Sequence, residues 1–240
     1  MEASPTLLNL TPRQQLRAGR MPRRLIQLAV GLWIFGASIA LVLRSGLGLS
    51  PWDVLHVGIA RHVPLSIGTV SILVGTVVLL LWIPLRQWPG LGTALNIVVV
   101  GIAIDATLAL LPPVGTDGPP GWALRGGLLA AGVVLNGLAG AMYIGSQLGP
   151  GPRDGLMTSL SERTGWQIGP VRIAIEVTVL AIGWMLGGPV GLGTVAYALA
   201  IGPLVQVMLP RCLVRLDVPR ARSVVANPST AGAGRERMDR

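Results

Sequence analysis

Six apolar stretches constrain the fold of this sequence more than any other feature. An α-helix rises about 1.5 Å per residue, so about 20 apolar residues cross a hydrocarbon layer near 30 Å thick. The stretches are Leu25–Leu43, Ile67–Leu85, Gly92–Leu111, Gly126–Ile144, Ile168–Leu186 and Gly193–Leu209. We therefore predict an all-α polytopic membrane protein that is embedded in the lipid bilayer. The short connections at 86–91 and 187–192 predict that spans two and three, and spans five and six, are antiparallel neighbours.

The connections that follow the first and the fourth stretch do not look like ordinary loops. Each contains a glycine-rich turn, with Gly48 or Gly149, and then a short helix-compatible segment opened by Pro51 or Pro152. Proline is favoured at the first position of a helix. We predict two short re-entrant or interfacial helices. In a rival topology these segments also span, which gives eight spans and a parallel repeat, and charge balance does not decide between the two. Length favours six spans, as does the cost of placing the charges of 152–165 in lipid.

The chain contains an internal duplication. A shift of 101 positions aligns 24–110 with 125–211 without a gap. The block Pro51-Trp-Asp53 then meets Pro152-Arg-Asp154, and the two Gly-Leu-Gly-Thr turns at 90–93 and 191–194 coincide. Because each copy holds three spans, an odd number, the second copy enters the membrane from the opposite side and forms an inverted repeat.

The predicted organisation has five parts. They are an Arg-rich cytoplasmic tail (1–23), repeat 1 (24–111), a loop (112–124), repeat 2 (125–213) and a disordered cytoplasmic tail (214–240). The basic residues are all arginine and concentrate near the two ends of the chain. Positive charge favours the cytoplasmic side, so both termini are expected there. No basic stripe alternates with aromatic residues, so we expect no nucleic-acid partner.

Asp53 and Asp154 occupy equivalent places in the first turns of the two short helices. A carboxylate there can simply cap the helix, because it accepts from free N–H groups and complements the helix dipole. Alternatively, the two helix starts line a polar cavity between the repeats. The copies differ at this point, since Arg153 replaces Trp52 and Met157 replaces His56. Both interpretations stay open at this stage.

Further polar residues interrupt the apolar spans. Arg172 and Glu176 are four residues apart and can pair along one helix face. An ionisable or polar residue inside a span predicts a functional site, although hydrogen bonding between helices can also explain it. The residues predicted to line the cavity are Asp53, Asp154, Arg153, His56, Asp105, Arg172, Glu176, Asn96 and Gln206.

Enzymatic chemistry finds little support in the sequence. The single cysteine, Cys212, excludes an intrachain disulfide, and His56 and His62 are six apart, which does not place both on one helix face. No nucleophile–base set or phosphate-binding loop is recognisable. We therefore expect no enzyme, no metal site and no cofactor.

The segments GLGLSPWDVLHVGIARHVPLS and LGPGPRDGLMTSLSERTGW, with the Gly-Leu-Gly-Thr turns, resemble the YczE/YitT-type bacterial membrane proteins. The resemblance covers about Arg24 to Pro210. It implies a multi-pass protein of the bacterial cell membrane and supplies no catalytic residues.

The leading functional hypothesis is a transporter or channel for a small solute or an ion, with a polar site between the repeats. This class recurs among inverted-repeat proteins with short or broken helices. The alternative is a scaffold or accessory protein for a partner enzyme or secretion process. An intramembrane enzyme is the third and weakest hypothesis, and a homo-oligomer stays open.

Overall fold

A computed structural model describes residues 11–115 and 118–216 of the chain. Every regular element in these residues is helical. The helices are α1 (Pro12–Arg17), α2 (Met21–Ser45), α3 (Pro51–Ala60), α4 (Ile67–Leu80), α5 (Trp82–Leu85), α6 (Leu91–Leu110), α7 (Gly118–Gly145), α8 (Pro152–Thr164), α9 (Ile168–Met185) and α10 (Leu192–Cys212). The all-α class is confirmed.

Six helical segments are long and apolar enough to span a membrane, as predicted. They are α2, the α4–α5 pair, α6, the part of α7 from Gly121 onward, α9 and α10. The short helices α3 and α8 have 10 and 13 residues. At about 1.5 Å per residue they are roughly 15 and 20 Å long, less than the hydrocarbon thickness. The structure therefore agrees with six spans rather than eight.

Three helices of the second repeat, α8, α9 and α10, start 101 residues after their counterparts in the first. The pairs of first residues are Pro51 and Pro152, Ile67 and Ile168, and Leu91 and Leu192. The sequence register of the duplication is thus also the register of these three helix starts.

The two central helices, α2 and α7, are antiparallel and pack along each other. Arg24, near the start of α2, donates to the carbonyl oxygen of Ser146, just beyond the end of α7. Arg125, near the start of α7, donates to the carbonyl oxygen of Ser45 at the end of α2. Because α2 and α7 are equivalent in the two repeats, their opposite directions match the inverted arrangement that the odd number of spans predicts.

The repeats are joined by a reciprocal crossover. The Leu47 carbonyl oxygen, after α2, accepts from the N–H of Gly193 at 2.7 Å, and the Leu148 carbonyl oxygen, after α7, accepts from the N–H of Gly92 at 2.8 Å. The next residues, Gly48 and Gly149, have φ near +119° and +118°. Glycine suits this backbone conformation, and a Cβ at Gly48 would also lie 2.7 Å from the Gly191 nitrogen.

Helix packing differs between the two repeats. α4 packs against α6, as expected for neighbours joined by a short connection. α9 instead packs against α3 and α8, and α10 packs against α7, so α9 and α10 barely touch. This corrects the prediction that spans five and six are packed neighbours. A short connection fixes only where two helices meet at one end, whereas side chains along their length decide whether they stay together.

Both described ends of the chain contact the membrane bundle. In the N-terminal segment, Gln15 and Ala18 are buried, and the Gln15 carbonyl oxygen accepts from Arg24 at 2.5 Å. Val214, which the sequence analysis assigned to the disordered tail, is buried, and its N–H donates to Gly145. The ordered chain therefore reaches beyond α10, while 217–240 lie outside the described residues.

Candidate functional site

The two short helices begin at the edges of one internal cavity. Pro51 and Trp52 of α3 line it from one repeat, and Pro152 and Arg153 of α8 line it from the other. Both prolines stand in the first helical turn, where the missing N–H costs no intrahelical hydrogen bond. The cavity has a volume of about 420 Å³. That size is within the range of small-molecule sites.

Polar side chains from both repeats converge on this cavity. The charged ones are Arg153, Asp154, Arg172 and Glu176. The neutral ones are Ser50, Ser71, Asn96, Asn136, Tyr143, Tyr197 and Gln206. Six of the nine residues predicted for the cavity are among them: Arg153, Asp154, Arg172, Glu176, Asn96 and Gln206. A polar cavity at membrane depth is the setting in which non-helical backbone and charge are tolerated.

The cavity charges balance, and three of the four charged side chains have hydrogen-bond partners. Arg172 donates to Glu176 at 2.9 Å, and Asp154 accepts from the Tyr143 hydroxyl. The Arg153 guanidinium lies 5.0 Å from the centre of the Trp52 ring, within the range of a cation–π contact. Within the described part of the chain Arg153 has no hydrogen bond or ion pair, so its five N–H donors are available to a solute.

A hydrogen-bonded chain of neutral groups forms a second wall of the cavity. The Tyr197 hydroxyl donates to Asn136 Oδ1 at 2.8 Å, and Asn136 Nδ2 donates to Ser38 Oγ at 2.7 Å. This chain links α10, α7 and α2. Asn136 therefore makes the interhelical contact that its position in an apolar span predicts, and it also lines the cavity.

Asp53 and His56 lie behind the cavity wall rather than on it. Asp53 accepts from the Ser50 hydroxyl at 2.5 Å, and the Ser50 oxygen accepts from the Asp53 backbone N–H, so these residues cap α3. His56 Nδ1 lies 3.4 Å from Asp53 Oδ1, and both side chains are buried. Burial lowers the pKa of His56, and the nearby Arg153 charge lowers it further, against the opposing effect of Asp53. The cap of α3 is therefore the Ser50 hydroxyl oxygen, which the Asp53 carboxylate holds in place, and the prediction that Asp53 and His56 line the cavity is corrected.

Asp105 also lies away from the cavity. Its carboxylate accepts from the N–H of Gly68 at 2.8 Å and from the Ser66 hydroxyl at 2.5 Å, at the start of α4. The free N–H groups of a first helical turn attract such a carboxylate. Asp105 therefore joins α6 to α4, and the prediction that it faces the cavity is corrected, whereas its counterpart Gln206 does line the cavity.

The structural roles of the arginine pair Arg24 and Arg125, and of Tyr143, were not predicted from the sequence. Arg24 and Arg125 counted only as topology signals, yet each donates to carbonyl oxygens at the end of the opposite central helix. Their equivalence under the 101-residue shift was the signal that could have revealed this role. Tyr143 was missed because its counterpart Val42 is apolar, although a tyrosine in an apolar run usually places its hydroxyl near a polar partner.

The described residues contain no group of three or more His, Cys, Asp or Glu side chains that could hold a metal ion. The cavity lining itself presents hydrogen-bond donors and acceptors and balanced charges. Such groups bind and orient a polar solute.

Comparison with known proteins assigns the chain to a family. The model of DUF6198, described as a family of unknown function, matches residues 22–210, which cover the six spans except for Met21 and the last two residues of α10. The chain belongs to this family. The match covers nearly the same residues as the resemblance noted in the sequence, from about Arg24 to Pro210.

Bacterial relatives agree with the family assignment. An uncharacterized membrane protein of Bacillus subtilis, YczE, is 34% identical over 82% of this chain and 90% of its own length. An uncharacterized protein of Haemophilus influenzae is 41% identical over 76% of this chain and 81% of its own. A second B. subtilis protein, YyaS, is 28% identical over 75% of this chain and 90% of its own. The resemblance to YczE-type membrane proteins is therefore confirmed. No solved structure matches the chain.

Proposed function

We propose that this protein is a transporter or channel for a small polar solute, which binds in the cavity between the two inverted repeats. The observation that carries the proposal is the convergence of both short helix starts on one polar cavity of about 420 Å³. A membrane-embedded cavity of this kind stabilises a solute that the surrounding lipid would exclude. Catalysis forms no part of the proposal, and the cytoplasmic location of both termini is proposed from the arginine distribution.

The charges favour a zwitterionic or neutral polar solute over a bare ion. Two guanidinium groups and two carboxylates line the cavity, so a solute with one net charge would meet no net attraction. Arg153 is placed to receive an anionic group such as a carboxylate, because its planar fork of donors matches that geometry. Asp154 and Glu176 supply acceptors for an ammonium or hydroxyl group of the same solute.

Flux through purified protein in proteoliposomes tests the proposal. We expect uptake of a radiolabelled zwitterionic solute, such as alanine or serine, that exceeds uptake of rubidium, chloride and inorganic phosphate. Arg153→Gln is expected to lower this uptake at least tenfold, since a charge-assisted bidentate contact contributes about 1.5–3 kcal/mol. Arg163→Gln is the matched control, because Arg163 lies near the other end of α8 and is exposed.

Two results would contradict the proposal. One is the absence of flux above protein-free vesicles for the whole solute set. The other is equal loss of flux in the Arg153→Gln and Arg163→Gln variants. The first result would leave the scaffold or accessory role as the better interpretation.

A further inference from the structure

The two repeats differ most at one helix crossing. In repeat 1, Gly68 of α4 meets Gly101 of α6 so closely that a Cβ at Gly101 would lie 2.6 Å from the Gly68 carbonyl oxygen. The equivalent residues in repeat 2 are Gly169 of α9 and Gly202 of α10. A Cβ at either position would meet no heavy atom within 4 Å. The α4–α6 crossing is tightly packed, and we call it closed. The α9–α10 crossing leaves a gap, and we call it open.

The hydrogen bonds at the crossing differ in the same way. Asp105 of α6 accepts from the N–H of Gly68 and so ties α6 to the start of α4. Its counterpart Gln206 faces the cavity and has no hydrogen bond to the described residues. The N–H of Gly169 lies in the first turn of α9, where no intrahelical acceptor exists for it. The Gly169 N–H and the Gln206 side chain are equivalent to the hydrogen-bonded Gly68 and Asp105, but they do not bond to each other.

The gap between α9 and α10 lies beside the cavity. Arg172 of α9 and Gly202 and Gln206 of α10 line the cavity beside the gap. The gap is on the membrane side where both described chain ends lie, because α9 starts and α10 ends on that side. On the opposite side of the membrane α3 packs against the end of α9, with Gly58 and Gly183 in close contact.

We propose that α9 and α10 form a gate that closes by adopting the crossing already present between α4 and α6. In the closed form Gly169 meets Gly202, Gln206 accepts from the N–H of Gly169, and the cavity loses its access from the side of the chain ends. Charge-assisted hydrogen bonds are about twice as strong as neutral ones. The Asp105 bond therefore holds the first crossing shut, while an amide at Gln206 permits the second to open. The purpose of the gate rests on the proposed transport function, but its existence does not.

Cysteine cross-linking of the purified protein in lipid vesicles tests the gate. In a Cys212→Ser background, the test pair is Gln167→Cys with Gln206→Cys, and the control pair is Ser66→Cys with Asp105→Cys at the equivalent positions. We expect the control pair to cross-link readily, since Ser66 and Asp105 are adjacent and the close Gly68–Gly101 packing beside them is unchanged in this variant. The test pair is expected to cross-link more slowly, at the rate at which the gate closes.

A variant in which α9 cannot reach α10 is the matched control for the cross-linking experiment. A leucine side chain at position 202 starts in open space beside the cavity, because a Cβ there meets no heavy atom within 4 Å, and it would occupy the space that α9 enters on closing. Gly202→Leu should therefore slow cross-linking of the test pair roughly tenfold or more and leave the unfolding midpoint unchanged. Gly169→Leu provides the same block from the other helix if Gly202→Leu expresses poorly.

The outcomes separate the gate from the transport proposal. Cross-linking of the test pair that the blocking leucine removes supports the gate, with or without measured solute flux. A test pair that never cross-links, or that cross-links equally well with the blocking leucine, overturns the gate even if flux is observed.

Discussion

At the residue scale, two equivalent arginines hold the ends of the two central helices. Arg24 is fully buried and donates to the carbonyl oxygens of Ser146, Gln147 and Gln15. Arg125 makes two equivalent bonds to Ser45 and Gly46 but is partly exposed. A cation is also favoured at a helix C-terminus by the helix dipole. The buried member of the pair should contribute more to stability, because water cannot replace its hydrogen bonds.

Replacement of these arginines tests that difference. Arg24→Ala should lower the free energy of unfolding by about 2–4 kcal/mol, since buried carbonyl oxygens lose their donors. Arg125→Ala should lower it by about 1 kcal/mol or less, because water reaches the carbonyl oxygens that it leaves. Denaturant titration in detergent micelles, followed by helical circular dichroism, measures both values. Equal losses would show that burial does not set the contribution of Arg24.

The two equivalent aspartates should also behave differently. Asp53 is buried, and its carboxylate accepts from the Ser50 hydroxyl that caps α3, so Asp53→Asn is expected to lower stability by about 0.5–2 kcal/mol. Asp154 is exposed to the cavity, so Asp154→Asn should leave the unfolding midpoint nearly unchanged and reduce solute uptake. Thermal unfolding and proteoliposome flux on the same preparations distinguish the two. Glu162→Gln, on the same helix and outside the cavity lining, is the control for loss of an α8 carboxylate.

At the element scale, the short helices are fixed by pairs of large and small residues. Trp82 of α5 lies on Gly155 of α8 and donates through its indole N–H to the Pro152 carbonyl oxygen at 3.1 Å. At the equivalent pair of positions the large and small residues are exchanged. Gly183 of α9, the counterpart of Trp82, lies on Val54 of α3, the counterpart of Gly155. Gly155 leaves room for the indole ring. This contact sets where α8 begins and hence where Arg153 and Asp154 enter the cavity.

Enlarging this glycine should displace α8. Gly155→Ala is expected to lower the free energy of unfolding by about 1–3 kcal/mol, because the added methyl group overlaps a rigid ring. Gly169→Ala, in α9, should be neutral or slightly stabilising, since the methyl group would meet no neighbouring atom. Thermal unfolding of the two variants provides the comparison. A Gly155→Ala variant as stable as the parent would show that α8 shifts at little cost.

The elements themselves could be predicted from sequence because they depend on local patterns. Apolar length gave the six spans, and proline followed by a carboxylate gave the starts of α3 and α8. The placement of Asp53 behind the cavity wall could not be predicted, because both capping and cavity lining require a carboxylate in the first helical turn. The separation of α9 from α10 was equally hidden, since the Gly-Leu-Gly-Thr turn that joins each helix pair is identical in the two repeats.

At the scale of the whole molecule, the inverted repeat fixes which parts of the chain share a side of the membrane. α2 begins and α10 ends on the same side, because Gln27 of α2 donates to the Cys212 carbonyl oxygen at 2.6 Å. The proposal made from the arginine distribution is that this side faces the cytoplasm. Gly115, after α6, lies on the opposite side.

Reporter and labelling experiments in bacterial cells test this topology. A fluorescent protein fused after Arg240 should fluoresce, because it folds in the cytoplasm. A cysteine introduced at Gly115, in the Cys212→Ser background, should react with a membrane-impermeant maleimide added to spheroplasts. A cysteine at Gln14, on the side of the chain ends, should react only after lysis. The reverse labelling pattern would invert the assigned orientation.

The reciprocal crossover has a consequence for biosynthesis. The turn after α2 completes its hydrogen bonding only when Gly193, near the start of α10, has been synthesised. Repeat 1 is therefore inserted in the membrane before its hydrogen bonds are complete, while about 80 further residues, 112–193, are synthesised. During that interval the exposed turn is a target for quality-control proteases. Chains that end before Leu192 should be degraded, and co-expression of the missing α10 segment should rescue them.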